Sequence, residues 1–251
     1  MNKKLVDFLF VAIFFAISTL NVVFFIHSPT LAIIIYLIPV MYFIYRNPKV
    51  IKRSIYFLIL VAISQETFYY FTDINLGWST VSEYPVIIPG IVVEEIMFAI
   101  LWPLAAIVLY HVFLKSAKDG NPKIPRSAYI FLLIYIATFF VLEFSGFTKA
   151  VGYAYLIYGT LTVIFPIAYG LFRKVKLDVE LAKNIFIIGF LFFIASMIWE
   201  ITALSVGWWK FYGKYISVFA VLGFNIPVEE VIIWMVFGIP VLIYLYEAVK
   251  K

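Results

Sequence analysis

Eight runs of about 20 mainly apolar residues dominate the 251-residue chain and limit what it can fold into. A membrane-spanning helix needs about 20 such residues, because the hydrocarbon core of a bilayer is about 30 Å thick. With 65% hydrophobic and 13% charged residues, the chain is too apolar for a soluble enzyme or a disordered segment. We therefore expect an all-α integral membrane protein whose eight spans lie at about 5–26, 29–45, 54–72, 91–114, 127–147, 151–172, 184–205 and 226–247.

The basic residues of the loops indicate the orientation of these spans. Cytoplasmic loops collect Lys and Arg. With eight spans, sixteen basic residues fall on the side that holds both termini, and only Lys149, Lys210 and Lys214 fall on the other. This predicts a multi-pass protein of the cell membrane with both termini in the cytoplasm. The first run is too long for a cleaved signal peptide and should remain as an anchor. The net charge of +5 lies in loops, so membrane lipid is the expected partner and nucleic acid is not.

Several motifs occur twice at a nearly constant offset. Gly77-Trp78 matches Gly207-Trp208 at an offset of 130 residues, and Glu94-Glu95 matches Glu229-Glu230 at an offset of 135. The sequence thus predicts a first four-helix repeat at 1–114, a linker at 115–126 and a second four-helix repeat at 127–251. Since each repeat has an even number of helices, both have the same orientation, which predicts a pseudo-twofold axis along the membrane normal.

Seven glutamates fall within or at the edge of these spans, toward the non-cytoplasmic side. A charged group at the centre of a spanning helix costs about 2.5–3.5 kcal/mol, and no Lys or Arg lies deep in any span. These glutamates should therefore keep a proton, share one, or line a wet cavity. Neighbouring residues on a helix point about 100° apart, so one member of each pair can face a cavity while the other holds a neighbouring helix or loop. The seven are Glu66, Glu94, Glu95, Glu143, Glu200, Glu229 and Glu230.

The second half carries a helix-terminal acid, a Gly-Trp loop and a Pro-x-Glu-Glu helix start. These are Glu200, Gly207-Trp208 and Pro227-Val228-Glu229-Glu230. The arrangement resembles the small membrane lycopene β-cyclases of the heterodimeric carotenoid cyclase family, and the two halves together resemble its fused form. The first half departs from the motif, because Pro89 stands five residues before Glu94 and its upstream acid is either Glu66 or Asp73.

The resemblance implies an acid-catalysed, non-redox cyclisation of the acyclic ends of lycopene to β-rings, which gives γ-carotene or β-carotene. The un-ionised acid would come from Glu229 or Glu230, then from Glu94 or Glu95. Glu200 or the other member of the pair could take the proton back, and Glu66 is a further catalytic candidate. Aromatic faces stabilise a carbocation. Loop aromatic residues also form interfacial belts, which is an equally good reading here. The candidates for binding the substrate or its cation are Trp78, Trp208, Trp209, Phe211 and Tyr212, with Glu143 and Asp73 as further acidic candidates.

Motifs that the chain lacks exclude several other chemistries. It has no cysteine and no G-x-G-x-x-G segment, and its two histidines, His27 and His111, are far apart, so we expect neither a cofactor nor a metal. Two alternatives to a cyclase remain, a carotenoid hydratase of related membrane type and a proton-coupled transporter. The sequence leaves open a homo-oligomer, the exact carotenoid, and whether one or both halves are active.

Overall fold

The fold comes from a computed structural model that describes residues 3–26, 28–46, 48–75, 77–80, 82–84, 86, 91–114 and 124–250. His27 and most of the predicted linker at 115–126 lie outside the described residues. Within the described ones, eight helices are long and apolar enough to cross a membrane. The expected all-α membrane fold and the number of spans are therefore confirmed, and the protein is a multi-pass membrane protein.

The helices follow one another with short connections. They are α1 (Lys3–Phe24), α2 (Pro29–Arg46), α3 (Pro48–Ile74), α4 (Val93–Phe113), α5 (Arg126–Phe144), α6 (Phe147–Val151), α7 (Ala154–Phe172), α8 (Val179–Ser205) and α9 (Ile239–Lys250), which continues from a π-helical segment at Glu230–Gly238.

Helices α3 and α8 begin before their predicted spans, at Pro48 rather than 54 and at Val179 rather than 184. Two other predicted boundaries are wrong for a local backbone reason. The fifth span was expected to reach residue 147, but α5 ends at Phe144 because Gly146 takes a left-handed conformation with φ of 71°. The last span was expected to begin at residue 226, but Phe224–Pro227 forms a β-strand and helical geometry begins only at Val228.

Four short strands, which were not predicted from the sequence, lie in the described parts of the two long loops. Strand β1 (Trp78–Thr80) pairs antiparallel with β2 (Trp209–Phe211), so the two Gly-Trp loops are joined. Strands β3 (Val218–Val221) and β4 (Phe224–Pro227) form a hairpin. Its two turn residues both have positive φ, which is the geometry that suits the right-handed twist of a hairpin.

The two predicted repeats are interleaved rather than side by side. Helix α3 packs against α4, α5 and α7, and α8 packs against α1, α4 and α9. Gly170 permits a close approach of α7 to α9, because a Cβ there would lie 2.1 Å from Cε1 of Tyr244. The 4+4 repeat itself and its pseudo-twofold axis stay predictions, but the packing brings elements from both halves around one centre.

Candidate functional site

One pocket of about 130 Å³ gathers glutamates from both halves of the chain. Glu94 and Glu95 come from the first turn of α4, Glu200 from the end of α8, and Glu230 from the start of the π-helical segment. No Lys or Arg is among the described residues that line this glutamate pocket. Four acidic side chains thus share a small volume that contains no neutralising cation from the described chain.

Ten of the other residues that line the pocket are aromatic. The chain has six tryptophans, and every one of them lines this pocket, together with Phe98, Phe211, Tyr69 and Tyr155. The indoles form a connected group, with Trp199 packed 5.6 Å from Trp208 and 6.0 Å from Trp209 between ring centroids. The tryptophans are Trp78, Trp102, Trp199, Trp208, Trp209 and Trp234.

The leading glutamate of each pair, Glu94 or Glu229, holds the loop that precedes its helix. An oxygen of Glu94 accepts a hydrogen bond from the backbone N–H of Glu83 at 2.7 Å. An oxygen of Glu229 accepts one from the backbone N–H of Ile216 at 2.6 Å. Both glutamates are buried. Glu229 does not line the pocket and Glu94 does, so their shared feature is the loop contact.

The following glutamate of each pair, Glu95 or Glu230, lines the pocket and meets a hydroxyl group there. Glu95 accepts a hydrogen bond from Thr80 at 2.7 Å, and Glu230 accepts one from Tyr155. In the second half one glutamate faces the pocket and the other holds the loop, as expected, whereas in the first half Glu94 holds the loop and also lines the pocket. The sequence had given Glu229 and Glu230 equal standing as acids, and only Glu230 is placed at the pocket.

Glu200 completes the acidic group from the opposite wall. Its carboxylate accepts a hydrogen bond from Nε1 of Trp209 at 2.8 Å, and it is almost fully buried. Glu200 and Glu230 lie close enough for their charges to repel each other. Two carboxyl groups whose charges repel each other, with no Lys or Arg in the described lining, favour an arrangement in which one proton is shared or held by one of them.

Glu66 and Asp73 lie behind this wall rather than in it. Both carboxylate oxygens of Glu66 are buried and have no hydrogen-bond partner among the described residues, and Glu66 is within electrostatic range of Glu95. Asp73, near the end of α3, is only partly buried. Neither side chain lines the pocket.

Glu143 belongs to a separate polar cluster, in contrast to its expected place at the substrate site. It accepts hydrogen bonds from Asn75 at 2.8 Å and from Tyr158 at 3.0 Å. It also pairs with Lys149 at 3.2 Å. No Lys or Arg lies deep in the spans, but Glu143 still has a basic partner, because Lys149 reaches it from the neighbouring short helix α6. Its contacts join α3, α5, α6 and α7 and give it a structural role.

Tyr212 was also expected at the site and is not there. Its side chain is 60% exposed and does not line the pocket. The other loop aromatics that the sequence singled out, Trp78, Trp208, Trp209 and Phe211, do line it. These four aromatic residues therefore lie at the pocket.

The β1–β2 ladder contributes residues of both strands to the pocket wall and is held at one end by Tyr215. The Tyr215 hydroxyl donates a hydrogen bond to the Gly77 carbonyl, and the Gly213 N–H reaches the same carbonyl at 3.3 Å. Burial raises the pKa of the Tyr215 phenol above its ordinary value, so it remains a donor at physiological pH. The two Gly-Trp loops are thereby joined by both backbone and side-chain contacts.

Six aromatic residues of the pocket wall, all within spans, were not predicted from the sequence. They lie in runs where aromatic residues are abundant, since these make up 20% of the chain, and they are Tyr69, Phe98, Trp102, Tyr155, Trp199 and Trp234. Spacing does not mark them, because nothing in a uniformly apolar helix shows which face meets a pocket. The one available signal was that all six tryptophans lie close in sequence to span ends or to the glutamates.

Comparisons of the chain with protein-family models, with curated proteins and with solved structures find no match. The function is therefore argued from the pocket itself and from the motifs of the sequence.

Proposed function

We propose that this protein is a lycopene β-cyclase of the membrane type, which works by protonating a terminal alkene. The observation that carries the proposal is the glutamate pocket, where four carboxyl groups from both halves meet six tryptophans without a basic residue among the described lining. The Gly-Trp and Glu-Glu motifs that resemble this family are the same segments that build the pocket. The substrate is a carotenoid taken from the lipid phase.

The acid of the reaction is the carboxyl group of Glu230 or of its neighbour Glu200. Glu200 is almost fully buried and Glu230 is partly buried, and their charges repel each other, so one proton held between them relieves that repulsion. An alkene is a very weak base, so its donor has to be un-ionised and held close to it. The Tyr155 hydroxyl and the Trp209 indole fix the two carboxyl groups in place.

The reaction steps follow from this arrangement. The acid protonates C2 of the terminal C1=C2 double bond, which leaves a cation at C1. The C5=C6 double bond attacks C1 through C6 and closes the ring. The proton on C6 then passes to the carboxylate that remains, so the product has the same mass as the substrate. The indole faces around the pocket stabilise the positive charge between these steps.

The second candidate is a carotenoid hydratase, and one observation favours it. The indole N–H groups of Trp78 and Trp199 are buried and have no acceptor among the described residues, and both tryptophans line the pocket. A polar site of this volume has room for a water molecule with such partners. Water bound there would capture the cation and give a product heavier by one water molecule.

Expression in a lycopene-accumulating host tests the proposal. We expect cyclic products of unchanged mass, identified by chromatography and mass spectrometry of the pigments. Glu230→Gln is the matched inactive control, because it keeps the shape of the side chain and removes its acid. Products heavier by one water molecule would identify the hydratase instead. If lycopene stays unchanged although the protein is correctly inserted in the membrane, and if the protein transports protons, the result would favour the transporter.

We also propose that the protein resides in the cell membrane with both termini in the cytoplasm. The distribution of basic loop residues supports this orientation. It places the glutamate pocket near the non-cytoplasmic leaflet.

A further inference from the structure

The glutamate pocket is too small for the whole of a long hydrocarbon. Its volume is about 130 Å³, and a protein cavity of about 150 Å³ accommodates one benzene molecule. Such a space takes only the reacting tip of the molecule. A substrate about as long as the bilayer core is thick, about 30 Å, must place the remainder of its chain elsewhere.

A second and larger cavity lies beside the first, between α1, α2, α4 and α8. Its volume is about 590 Å³, within the range of about 300–1,000 Å³ that is usual for ligand sites. Along α4 it is lined from Phe98 to Phe113, which are about 22 Å apart at about 1.5 Å per residue. This α1–α8 cavity is therefore an elongated space parallel to the helices.

The two cavities share part of one wall. Four residues line both of them, and they lie at the outer end of the α1–α8 cavity, where the glutamates are. A chain that occupied the larger cavity would reach the carboxyl groups by passing these side chains alone. The shared residues are Ile33, Phe98, Trp102 and Trp199.

The α1–α8 cavity is a built apolar space rather than a gap beside a loosely held helix. The two hydroxyl groups in its lining, those of Tyr36 and Thr19, hydrogen-bond each other at 2.8 Å. That contact ties α1 to α2 near the outer end. At the inner end, Arg46 and Asp7 form an ion pair at 2.8 Å that ties the same two helices together. Helix α1 is thus held at both ends while space remains between them.

Lining residues of this cavity also reach the outer surface of the helix bundle. Leu20 is 57% exposed and Ile194 is 43% exposed, and they belong to α1 and α8. Exposed aliphatic side chains in a spanning segment face acyl chains. An opening of the cavity between α1 and α8 would therefore face lipid rather than water.

We propose that the α1–α8 cavity holds the linear isoprenoid chain of the substrate, which moves in laterally from the bilayer and presents one end to the glutamates. This inference rests on the proposed function and adds to it where the unreactive part of the molecule lies. An acyl chain of a phospholipid has similar chemistry. The continuity with buried carboxyl groups favours the isoprenoid, because a phospholipid brings a charged phosphate that this apolar lining does not bind.

Filling the cavity tests the proposal. Ala195 on α8 and Ala12 on α1 both line it and do not line the glutamate pocket. We expect Ala195→Phe and Ala12→Phe each to raise the Kd of purified protein for lycopene at least tenfold. Ala137→Phe is the matched control, since Ala137 is exposed on α5 and lines neither cavity. Binding is measured by quenching of tryptophan fluorescence, because Trp102 and Trp199 lie in the shared wall.

A short probe separates loss of the cavity from loss of the fold. A C5 hydrocarbon with the same terminal double bond, 2-methyl-2-butene, is smaller than benzene and needs only the glutamate pocket, so its binding should not change in any of the three variants. If Ala195→Phe loses this binding as well, Ala12→Phe, in which the new ring lies on an exposed helix, carries the test.

The outcomes distinguish this inference from the proposed function. Lycopene bound with the expected pattern but left uncyclised would contradict the cyclase alone. Cyclisation by Ala195→Phe and Ala12→Phe with unchanged KM would overturn the cavity assignment alone. Wild-type protein that does not bind lycopene would contradict both the cavity assignment and the cyclase. Loss of co-purified phospholipid from the filled variants, at an unchanged Kd for lycopene, would assign the cavity to membrane lipid and overturn the proposal.

Discussion

Adjacent glutamates have different surroundings in both halves of this protein. Glu229 contacts a loop amide, whereas Glu230 meets a tyrosine hydroxyl at the pocket, and Glu94 and Glu95 divide in the same manner. This follows from the turn of about 100° between neighbouring helix positions. A glutamine in place of the loop-holding residue still offers an oxygen to the amide, but a glutamine at the pocket has no proton to give.

The first prediction compares Glu230→Gln with Glu229→Gln. Because general acid catalysis contributes about 10²–10⁴-fold, we expect Glu230→Gln to lower kcat at least ~100-fold with normal amounts of protein in the membrane. Glu229→Gln should retain most of the activity. Product formation is measured by chromatography of pigments from the expressing host. Equal losses in the two variants would contradict the assignment of roles.

How far the site could be predicted differs from residue to residue. The cost of placing a charge in an apolar span singles out the glutamates in the amino-acid sequence alone, and Glu95, Glu200 and Glu230 do meet at one pocket. Glu143 followed the same rule and was misplaced, because its partner Lys149 lies outside the span and only the fold brings it close. Trp199 was not predicted although it directly precedes Glu200, because an aromatic side chain within an apolar helix suits lipid and a pocket equally.

At the scale of elements, the loops carry more order than their sequence suggests. Strands of three or four residues are shorter than the length at which alternation can be recognised. The β1–β2 pair also depends on a partner about 130 residues away, so no local pattern could have predicted it. Helices of 18 residues or more, by contrast, were predicted to within a few residues, because a spanning helix satisfies its own backbone.

The second prediction concerns the β1–β2 ladder. Tyr215→Phe removes the hydroxyl that donates to the Gly77 carbonyl, and such a bond contributes about 0.5–1.5 kcal/mol. We expect a Tm lower by about 2–4 °C, measured by thermal unfolding of purified protein, and faster proteolysis of the loops. Tyr212→Phe is the matched control, since this exposed tyrosine of the same loop should change neither stability nor activity. A lower activity in Tyr212→Phe would return that residue to the site.

The third prediction concerns the link between the first outer loop and α2. Glu83 accepts hydrogen bonds from the Ser28 hydroxyl at 2.9 Å and from the Thr30 N–H at 3.4 Å. Slight burial raises the pKa of the Glu83 carboxyl, but the bonds from Thr30 and Ser28 outweigh it, and the pKa lies below its ordinary value. The carboxylate therefore stabilises the fold above the unfolded pKa of about 4.3, and this contribution disappears as pH falls through the lower folded value.

Glu83→Gln should accordingly be less stable than the parent protein at pH 7, by less than ~1 kcal/mol because the group is mostly exposed. The difference should vanish below about pH 4. Paired thermal unfolding at the two pH values provides the measurement. A difference of the same size at pH 7 and pH 3 would show that the carboxylate charge has no part in it.

At the scale of the whole molecule, the pocket lies across the two halves. Glu95 comes from the first half and Glu200 and Glu230 from the second, and helices from both halves surround them. The sequence predicted the motifs of each half but left open whether each half has its own site. The shared pocket depends on contacts between distant parts of the chain, and the motif of one half does not predict these contacts.

The fourth prediction follows from this shared pocket. Residues 1–120 and 121–251, expressed as separate chains, should each be inactive because each lacks part of the acidic group. Together they should restore product formation, because the interleaved helices bury large apolar surfaces against each other. Pigment analysis of hosts that carry one or both chains decides it. Activity from the second chain alone would mean that Glu95 and its half are dispensable.

The fifth prediction tests the orientation in the membrane. A reporter that is active only in the cytoplasm should work when fused to either terminus and fail when inserted after Tyr212. The opposite result would place the glutamate pocket in the cytoplasmic leaflet.

The last span carries its pocket residues on the π-helical segment at Glu230–Gly238, among them Glu230, Ile233 and Trp234. A π turn contains one residue more than an α turn would, and its hydrogen bonds run from i to i+5. Removing a single residue between 231 and 237 would let this stretch recoil into ordinary α-helix. The residues within the segment would then point in other directions, whereas those after it would keep their places, because the deletion removes the one extra residue of the π turn. We expect such a shortened protein to be more stable to heat but inactive, because Trp234 would turn away from the pocket wall.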